Sequence, residues 1–493
     1  MLENLKPKRV FQYFEEISRI PHGSGNVDAI SDYLVAFARN HHLEVVQDAL
    51  KNVIIIKEAS EDRKACPPVM LQGHMDMVTV KEAGADIDLR KDALRLYRDG
   101  DYICAEGTSL GGDDGIAIAY GLALLSDDSI SHPRLELVIT TEEEVGMEGA
   151  SGIDLSVCRG EQMLNIDSEE EGQFVVACAG GLRVNGKLKV CREKACENRK
   201  KIKVMLTGFS GGHSGTEIYK NSGNANICMG WFLKKLSDEV DIKLETLQGG
   251  EKDNAIPIEA SAVLGIRTED EQHFWELCKK LETEIQECYK ETDPNCRIGI
   301  LALETGNEAG DGKEILQKHT GCLCAEDFKT IVAVLTEVPN GVQSMSKELK
   351  GLVQTSLNLG IMELSEGELR IAFSLRSSDD GEKRSLKEKV CGILEAHHLE
   401  TEVTGEYPAW EYKKASPLRE HMLAIYEKQY GKKPEIISLH AGLECGILAA
   451  KKPGLDCVSF GPDILDIHTT WERMSISSVQ RVWNFLVEVI ETL

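Results

Sequence analysis

The chain has 493 residues, 42% of them hydrophobic, which allows two or three domains with sizeable cores. Fifty-six basic residues against 82 acidic ones give a formal charge of −26, which argues against nucleic acid or an anionic membrane surface as a partner. No run is long and apolar enough to span a bilayer, and the opening residues lack the apolar stretch of a signal peptide. Fifteen cysteines lie scattered, several in apolar segments and none in a C-x-x-C pair, so neither a disulfide framework nor a thiolate zinc site is expected. A reducing, cytoplasmic compartment fits them best.

Phe11, Phe14 and Ile17, then Ile30, Leu34 and Phe37, recur at helical spacing and predict two opening helices. They are broken at Pro21-His22-Gly23-Ser24-Gly25, where His22 reads as a turn residue. Val45-Val46 and Val53-Ile54-Ile55-Ile56 read as strands, and so does Val69 to Gln72, which ends in Gly73-His74-Met75-Asp76. A histidine at a strand end with a carboxylate two residues on can begin a metal site, because the carboxylate can hold the second ring nitrogen. Alone, the same pair is as well explained as a loop histidine near a turn aspartate. An acidic excursion over residues 81–101 then reads as a surface hairpin.

The strand-end pattern recurs. Leu110-Gly111-Gly112-Asp113-Asp114-Gly115 precedes a small-residue helix, Leu135 to Thr140 runs into Glu142-Glu143-Glu144-Val145-Gly146, and Met163 to Ile166 ends at Asp167. Strands alternating with helices predict a three-layer α/β domain with a mostly parallel sheet, whose ligands bind beyond the carboxyl ends of the strands. His74, Asp113, Glu143, Glu144 and Asp167 all fall at such ends or in the loops just past them.

From about residue 184 the character changes to alternating strands and long helical stretches. Val204 to Thr207, leading into Gly211-Gly212-His213-Ser214-Gly215, and Ile256 to Ile266 can be laid loosely over Ala333 to Thr336, leading into Asn340-Gly341, and Leu369 to Leu375. A duplicated strand–helix–strand module follows from that overlay. After Tyr407-Pro408-Ala409-Trp410 the α/β pattern returns, through His440-Ala441-Gly442-Leu443-Glu444-Cys445-Gly446 and a late His468. The expected organisation is a catalytic domain in two segments, 1–183 and 406–493, interrupted by an inserted α+β domain over 184–405.

If His74, Asp113, Glu144, Asp167 and His468 converge, two imidazoles and three carboxylates can hold two divalent cations about 3.5–4 Å apart. An all-N/O set suits zinc, cobalt or manganese without choosing between them. Consecutive side chains on an extended segment point opposite ways, so one neighbour of the ligand in the Glu142-Glu143-Glu144 run can stand off the metals as a general base. A solvated acidic loop explains the run equally well in isolation.

These motifs together resemble the di-zinc aminoacylase/glutamate-carboxypeptidase family. Cys104-Ala105-Glu106-Gly107-Thr108-Ser109-Leu110-Gly111 and the stretch His440 to Gly446 narrow the resemblance to its aminoacyl-histidine (cytosolic non-specific) dipeptidase branch. The resemblance implies that Asp113 bridges two metals, most simply zinc, with His74 and Asp167 on one and Glu144 and His468 on the other. It implies Glu143 as general base, with the register set on Val145-Gly146 after the ligand, Asp76 as the group that orients His74, and a cis peptide at Asp113–Asp114. Two positions depart from the family pattern: Asp114 stands where Asn is frequent, and Glu142 where Asp is usual.

In the inserted lid, the resemblance implies substrate contacts from His213, which would stabilise the oxyanion, from Asn254, and from Arg376 on the substrate's carboxylate. Bland alternatives are a turn histidine, a turn asparagine and a surface arginine. His440 and Glu444 are expected near the substrate without an assigned step. The implied reaction is hydrolysis of dipeptides, Xaa-His among them. The rivals are an aminoacylase or carboxypeptidase acting on N-acyl amino acids, and a non-catalytic metal- or peptide-binding relative. A duplicated lid would let one chain complete its own site, with homodimerisation optional.

Overall fold

The structure is a computed structural model that describes residues 2–193, 199–303 and 321–493. Its backbone divides into two units: residues 1–178, 410–438 and 443–493 form the first, and 179–409 with 439–442 form the second.

In the first unit the apolar runs assemble into an eight-stranded sheet. Its order is Glu44–Gln47, Val53–Lys57, Leu135–Thr140, Val69–His74, Gln162–Asn165, Asp456–Ser459, Gln173–Cys178 and Glu435–Leu439. The four inner strands, from Leu135–Thr140 to Asp456–Ser459, run parallel, while pairings toward the edges are antiparallel. The sheet is therefore parallel at its centre and mixed overall, because the short link between Gln47 and Val53 can join only antiparallel neighbours. Strands Val69–His74 and Leu135–Thr140 are buried along their whole length, which is why both are largely apolar, with Gln72 and Glu136 as buried polar exceptions.

Helix Gly112–Leu125 packs against strand Val69–His74 and against helix Lys8–Ile17. Every residue in it is buried, so it is apolar all round rather than amphipathic. Its small residues allow this close packing: a Cβ added at Gly121 would stand 2.6 Å from Leu137 Cδ1. Phe11, Phe14, Tyr120, Phe174 and Phe485 fill the core of this unit. A separate four-stranded sheet joins the hairpin Leu96–Asp99 and Tyr102–Ala105 to Arg473–Ser475 and Ile464–Leu465, and so ties the chain near Asp113 to the chain near His468.

The second unit holds a nine-stranded sheet with its own core around Phe232, Phe274 and Phe373. Its duplication is visible in strand order. One half uses strands Arg199–Thr207, Ile242–Gly249, Ala260–Arg267 and Arg297–Leu303 with helices Ala225–Glu239 and Glu271–Cys288. The other uses Gly180–Lys189, Val353–Leu364, Glu368–Ser377 and Glu400–Tyr407 with helices Ala325–Glu337 and Asp380–Ala396. Taking each half's strands in chain order, both read fourth–first–third–second, and they meet where Gln248 and Gly249 pair with Glu363 and Met362. Each half is thus a strand–helix–strand–strand–helix–strand module.

The overlay drawn from sequence needs two corrections. Ala333 to Thr336 is the end of helix Ala325–Glu337, not a strand; its buried Ile331, Val332, Val334 and Leu335 form a helical face. The true counterpart of strand Arg199–Thr207 is Gly180–Lys189, which precedes the first module in the chain.

Candidate metal centre and recognition cluster

The parallel strands of the first unit deliver their chemistry at their carboxyl ends. His74 is the last residue of strand Val69–His74 and is fully buried. Its Nδ1 lies 2.9 Å from the backbone oxygen of Asp76, so Nδ1 carries a proton and Nε2 faces the cluster. That Nε2 is 3.1 Å from Asp113 Oδ1 and 3.4 Å from Asp167 Oδ1. On the other side, His468 Nε2 is 3.2 Å from Asp113 Oδ2 and 3.0 Å from Glu144 Oε2. Asp113 thus presents one oxygen to each imidazole. The Asp113–Asp114 peptide is cis.

Strand Leu135–Thr140 ends differently from the extended run expected of residues 142–144. Glu142 turns into the left-handed region at φ 56, and Glu143–Gly146 forms a single helical turn. Asp76 accounts for this: its Oδ1 accepts Glu143 N–H at 3.1 Å, its Oδ2 accepts Glu144 N–H at 3.4 Å, and Ser24 Oγ donates to Oδ2 at 2.8 Å. The carboxylate of Asp76 therefore caps the acidic turn. It stands 3.6 Å from His74 Nδ1, and the orientation of that ring comes from the Asp76 carbonyl instead.

The three glutamates separate cleanly. Glu142 accepts Gly25 N–H with both oxygens, at 2.9 and 3.0 Å, and Glu144 faces His468. Glu143 is tied to neither, and burial holds its carboxyl well above the ordinary carboxylate range.

The charge balance of the cluster fits a cation site. Burial, opposed by His74 and aided by smaller repulsion from Asp113 and Glu144, pushes Asp167 up to about 6. Burial and the Asp167 charge push Asp114 up as well. Hydrogen bonds to Asp113 and Glu144 raise His468 to about 10. Donor atoms of His74, Asp113 and Glu144 lie within 4.8 Å of one another, and so do those of His74, Asp114 and Asp167. An oxygen-and-imidazole set this acidic suits divalent metals. Asp114, absent from the expected ligands, already accepts His74 N–H at 3.2 Å and packs where a Cβ on Gly73 would come within 2.3 Å of its Oδ2.

The second unit gathers a different set around Gly215. A Cβ there would stand 2.5 Å from the His440 carbonyl oxygen, 3.0 Å from His213 Cε1 and 3.1 Å from Arg376 Nε. Thr216 N–H donates to His213 Nδ1 at 3.1 Å, so the proton of that ring sits on Nε2. Ser214 N–H donates to the Asn254 carbonyl at 2.8 Å, and His213 pairs with Ala255, which brings residue 254 beside the same turn. Arg376 Nη1 reaches Tyr407 Oη at 3.2 Å, and His440 Nε2 lies 2.8 Å from Ser356 Oγ. Among the described residues, Arg376 Nε and His440 Nδ1 are buried with no hydrogen-bond partner. Burial and then the Arg376 charge lower both histidines, His440 to about 3, so both rings are neutral near pH 7. A guanidinium beside neutral imidazoles makes a site for a carboxylate.

Comparison with known proteins decides the family. The model for peptidase family M20/M25/M40 matches residues 70–492. The cytosol non-specific dipeptidase of Escherichia coli is 34% identical over 492 residues, covering 100% of this chain and 99% of the relative. The chain belongs to peptidase family M20/M25/M40. The crystal structure of an aminoacylhistidine dipeptidase from Vibrio alginolyticus superposes on this M20 peptidase with a TM-score of 0.91, at 32% identity, over 100% of this chain and 98% of the other. An aminopeptidase from Bacillus cereus, at 15% identity and a TM-score of 0.56 over 99% and 98% of the two chains, shares the fold.

The structure of this M20 peptidase brings His74, Asp76, Asp113, Glu143, Glu144, Asp167 and His468 into one neighbourhood, and His213, Arg376 and His440 into another, with Asn254 adjoining by its backbone. Glu444 lies close to the first of these, within electrostatic reach of His74, Asp76, Glu143 and Asp167. It has no exposed surface, and its Oε2 accepts Gln72 Nε2 at 2.6 Å and Thr140 Oγ1 at 2.5 Å, beneath the strand ends. Burial raises it to about 8. Its carboxylate thus links strands Val69–His74 and Leu135–Thr140 next to the cluster. Gln72, which donates to Glu444, and Glu472, which accepts the N–H groups of Leu110, Gly111 and Gly112, escaped the sequence reading. Gln72 carried no signal within its apolar run; Glu472 carried only its position four residues after His468.

Proposed function

We propose that this M20 peptidase is a metal-dependent dipeptidase that hydrolyses free dipeptides, Xaa-His among them. The observation that carries the reading is Asp113, with Oδ1 toward His74 and Oδ2 toward His468, the disposition of a carboxylate shared by two cations. His74 and Asp167 would hold one cation and Glu144 and His468 the other, with zinc the first choice and cobalt or manganese able to substitute. When bound, the cations polarise the scissile carbonyl and lower the pKa of water. Glu143 accepts the proton of the attacking water at its carboxylate and returns it to the leaving amine nitrogen. Asp76 fixes the turn that separates Glu143 from Glu144. His213 donates from Nε2 to the developing oxyanion, and Arg376 binds the substrate carboxylate, with Asn254 and His440 beside them. The names of the Escherichia coli and Vibrio alginolyticus relatives support both substrate class and a cytoplasmic location.

The test is hydrolysis of unblocked dipeptides, Xaa-His peptides, a tripeptide and N-acetyl amino acids, before and after chelation and readdition of zinc, cobalt or manganese. Cleavage of free dipeptides that chelation abolishes and metal restores is the expected result. Turnover confined to the N-acetyl compounds would instead make the protein an aminoacylase, and metal uptake without any turnover would make it a binding protein.

A further inference from the structure

Glu472 is 4% exposed, yet its carboxylate is surrounded by donors. Oε2 accepts the backbone N–H of Leu110 at 2.8 Å and of Gly111 at 3.1 Å, while Oε1 accepts Gly112 N–H at 2.8 Å and the N–H of Asp113, more weakly, at 3.5 Å. Successive N–H groups converge because Gly111 adopts φ 69, which turns the loop into a concave cradle for an anion. The cradle ends on Asp113 itself.

The other end of this contact is the turn that carries His468. Arg473 Nη1 binds Asp466 Oδ2 at 2.5 Å, Thr469 Oγ1 donates to the Asp466 carbonyl at 2.6 Å, and Glu472 N–H closes onto the Thr469 carbonyl at 3.3 Å. Within this turn His468 sits at φ 61, a left-handed conformation that a non-glycine residue keeps only where its surroundings impose it. Its side chain is 45% exposed, so packing does not hold it in place. The turn holds it, and Glu472 is the member of the turn anchored in the interior.

Resting on the reading of Asp113 and His468 as metal ligands, we infer that Glu472 is a positioning residue for the metal centre. It locks the turn over residues 466–473 to the loop over residues 110–113 and so sets the spacing between Asp113 and His468. Its chemistry is specific to a carboxylate. All four partners are backbone donors, two on each oxygen, so an amide at this position would turn an NH2 toward one of the two pairs. A shorter side chain cannot reach the cradle while remaining on the turn.

Cobalt titration of chelator-stripped protein examines this without relying on turnover. Wild type is expected to take up two equivalents, and Glu472→Gln to bind at least one of them about 10- to 100-fold more weakly, the usual cost of losing a group that orients metal ligands. The visible absorption of the cobalt-loaded variant should shift, and at saturating cobalt its kcat should fall while KM stays near that of wild type. Wild-type cobalt affinity and spectrum in folded Glu472→Gln would overturn the inference, even if its Tm dropped. If that variant folds poorly, Glu472→Asp keeps the charge but retracts it by one methylene, and wild-type uptake there would overturn the inference equally. Failure of wild type itself to take up cobalt would contradict the metal reading, a different outcome from a variant that matches a metal-binding parent.

Discussion

In the first unit, carboxyls crowd two imidazoles, and burial with mutual repulsion lifts Asp167 and Asp114 above the ordinary range. In the second, one guanidinium faces two imidazoles whose pKa values burial and its charge drive down. The first arrangement has a surplus of negative charge that cations relieve, and the second has a cation and neutral donors that an anion relieves. Both are buried polar sets left incomplete by the protein alone. On the proposed reading, the first would take divalent metal and the second a substrate carboxylate.

The contrast can be broken from either side. Asp113→Asn should have the largest effect, because it weakens both halves of the cation site at once. Isothermal titration with zinc should show an affinity loss beyond the ~100-fold typical of a supporting residue, with dipeptide turnover falling in parallel. Next comes Arg376→Ala, which should raise KM for dipeptides about 10- to 100-fold, the worth of a charged hydrogen bond, while zinc stoichiometry is unchanged. A variant that lost zinc as well would contradict the separate roles proposed for the two clusters. Gly215→Ala tests the same cluster with no change of charge. Its Cβ would press on the His440 carbonyl, His213 and Arg376, and a KM increase of roughly tenfold with intact zinc binding is expected.

The smallest effect concerns stability, and here His440 and Glu444, four residues apart, act in opposite directions. His440 is held down to about 3 from 6.5, so the native state binds fewer protons than the unfolded chain between those values. Its contribution is complete above pH 6.5 and is lost as pH falls toward 3. Glu444 is raised to about 8 from 4.5, so its contribution is complete below pH 4.5 and is lost as pH rises through 8. Urea unfolding across pH should show His440→Gln flattening the acid limb and Glu444→Gln the alkaline limb, each by at most ~1.4 kcal/mol per pH unit. A variant that left its own limb unchanged would show that its group titrates normally in the native state.

Much of the first unit was legible because parallel strands read as largely apolar runs, and their ends place His74, the 142–144 run and Asp167 directly. Asp113 was less so: it lies on a loop entering a helix, and the sharing of its two oxygens depends on His468, which is distant in sequence. The acidic turn was misread as extended because the Asp76 carboxylate that caps it is 67 residues away from Glu143. Helix Ala325–Glu337 lent its last β-branched and leucine residues to an apparent strand, since four residues cannot distinguish a period of two from 3.6. Glu444 is expected near the substrate by resemblance alone, and its hydrogen bonds to Gln72 and Thr140 have no counterpart in the local pattern.

Glu143→Gln bears most directly on the central claim. The variant should retain both zinc equivalents and the wild-type KM for a dipeptide, while its kcat falls about 10²- to 10⁴-fold, the range of a lost general base. The measurement is steady-state hydrolysis of a free dipeptide by zinc-reconstituted wild type and variant, with bound zinc quantified on the same samples. Full activity in Glu143→Gln with zinc in place would contradict the account and move the proton-transfer role to another residue.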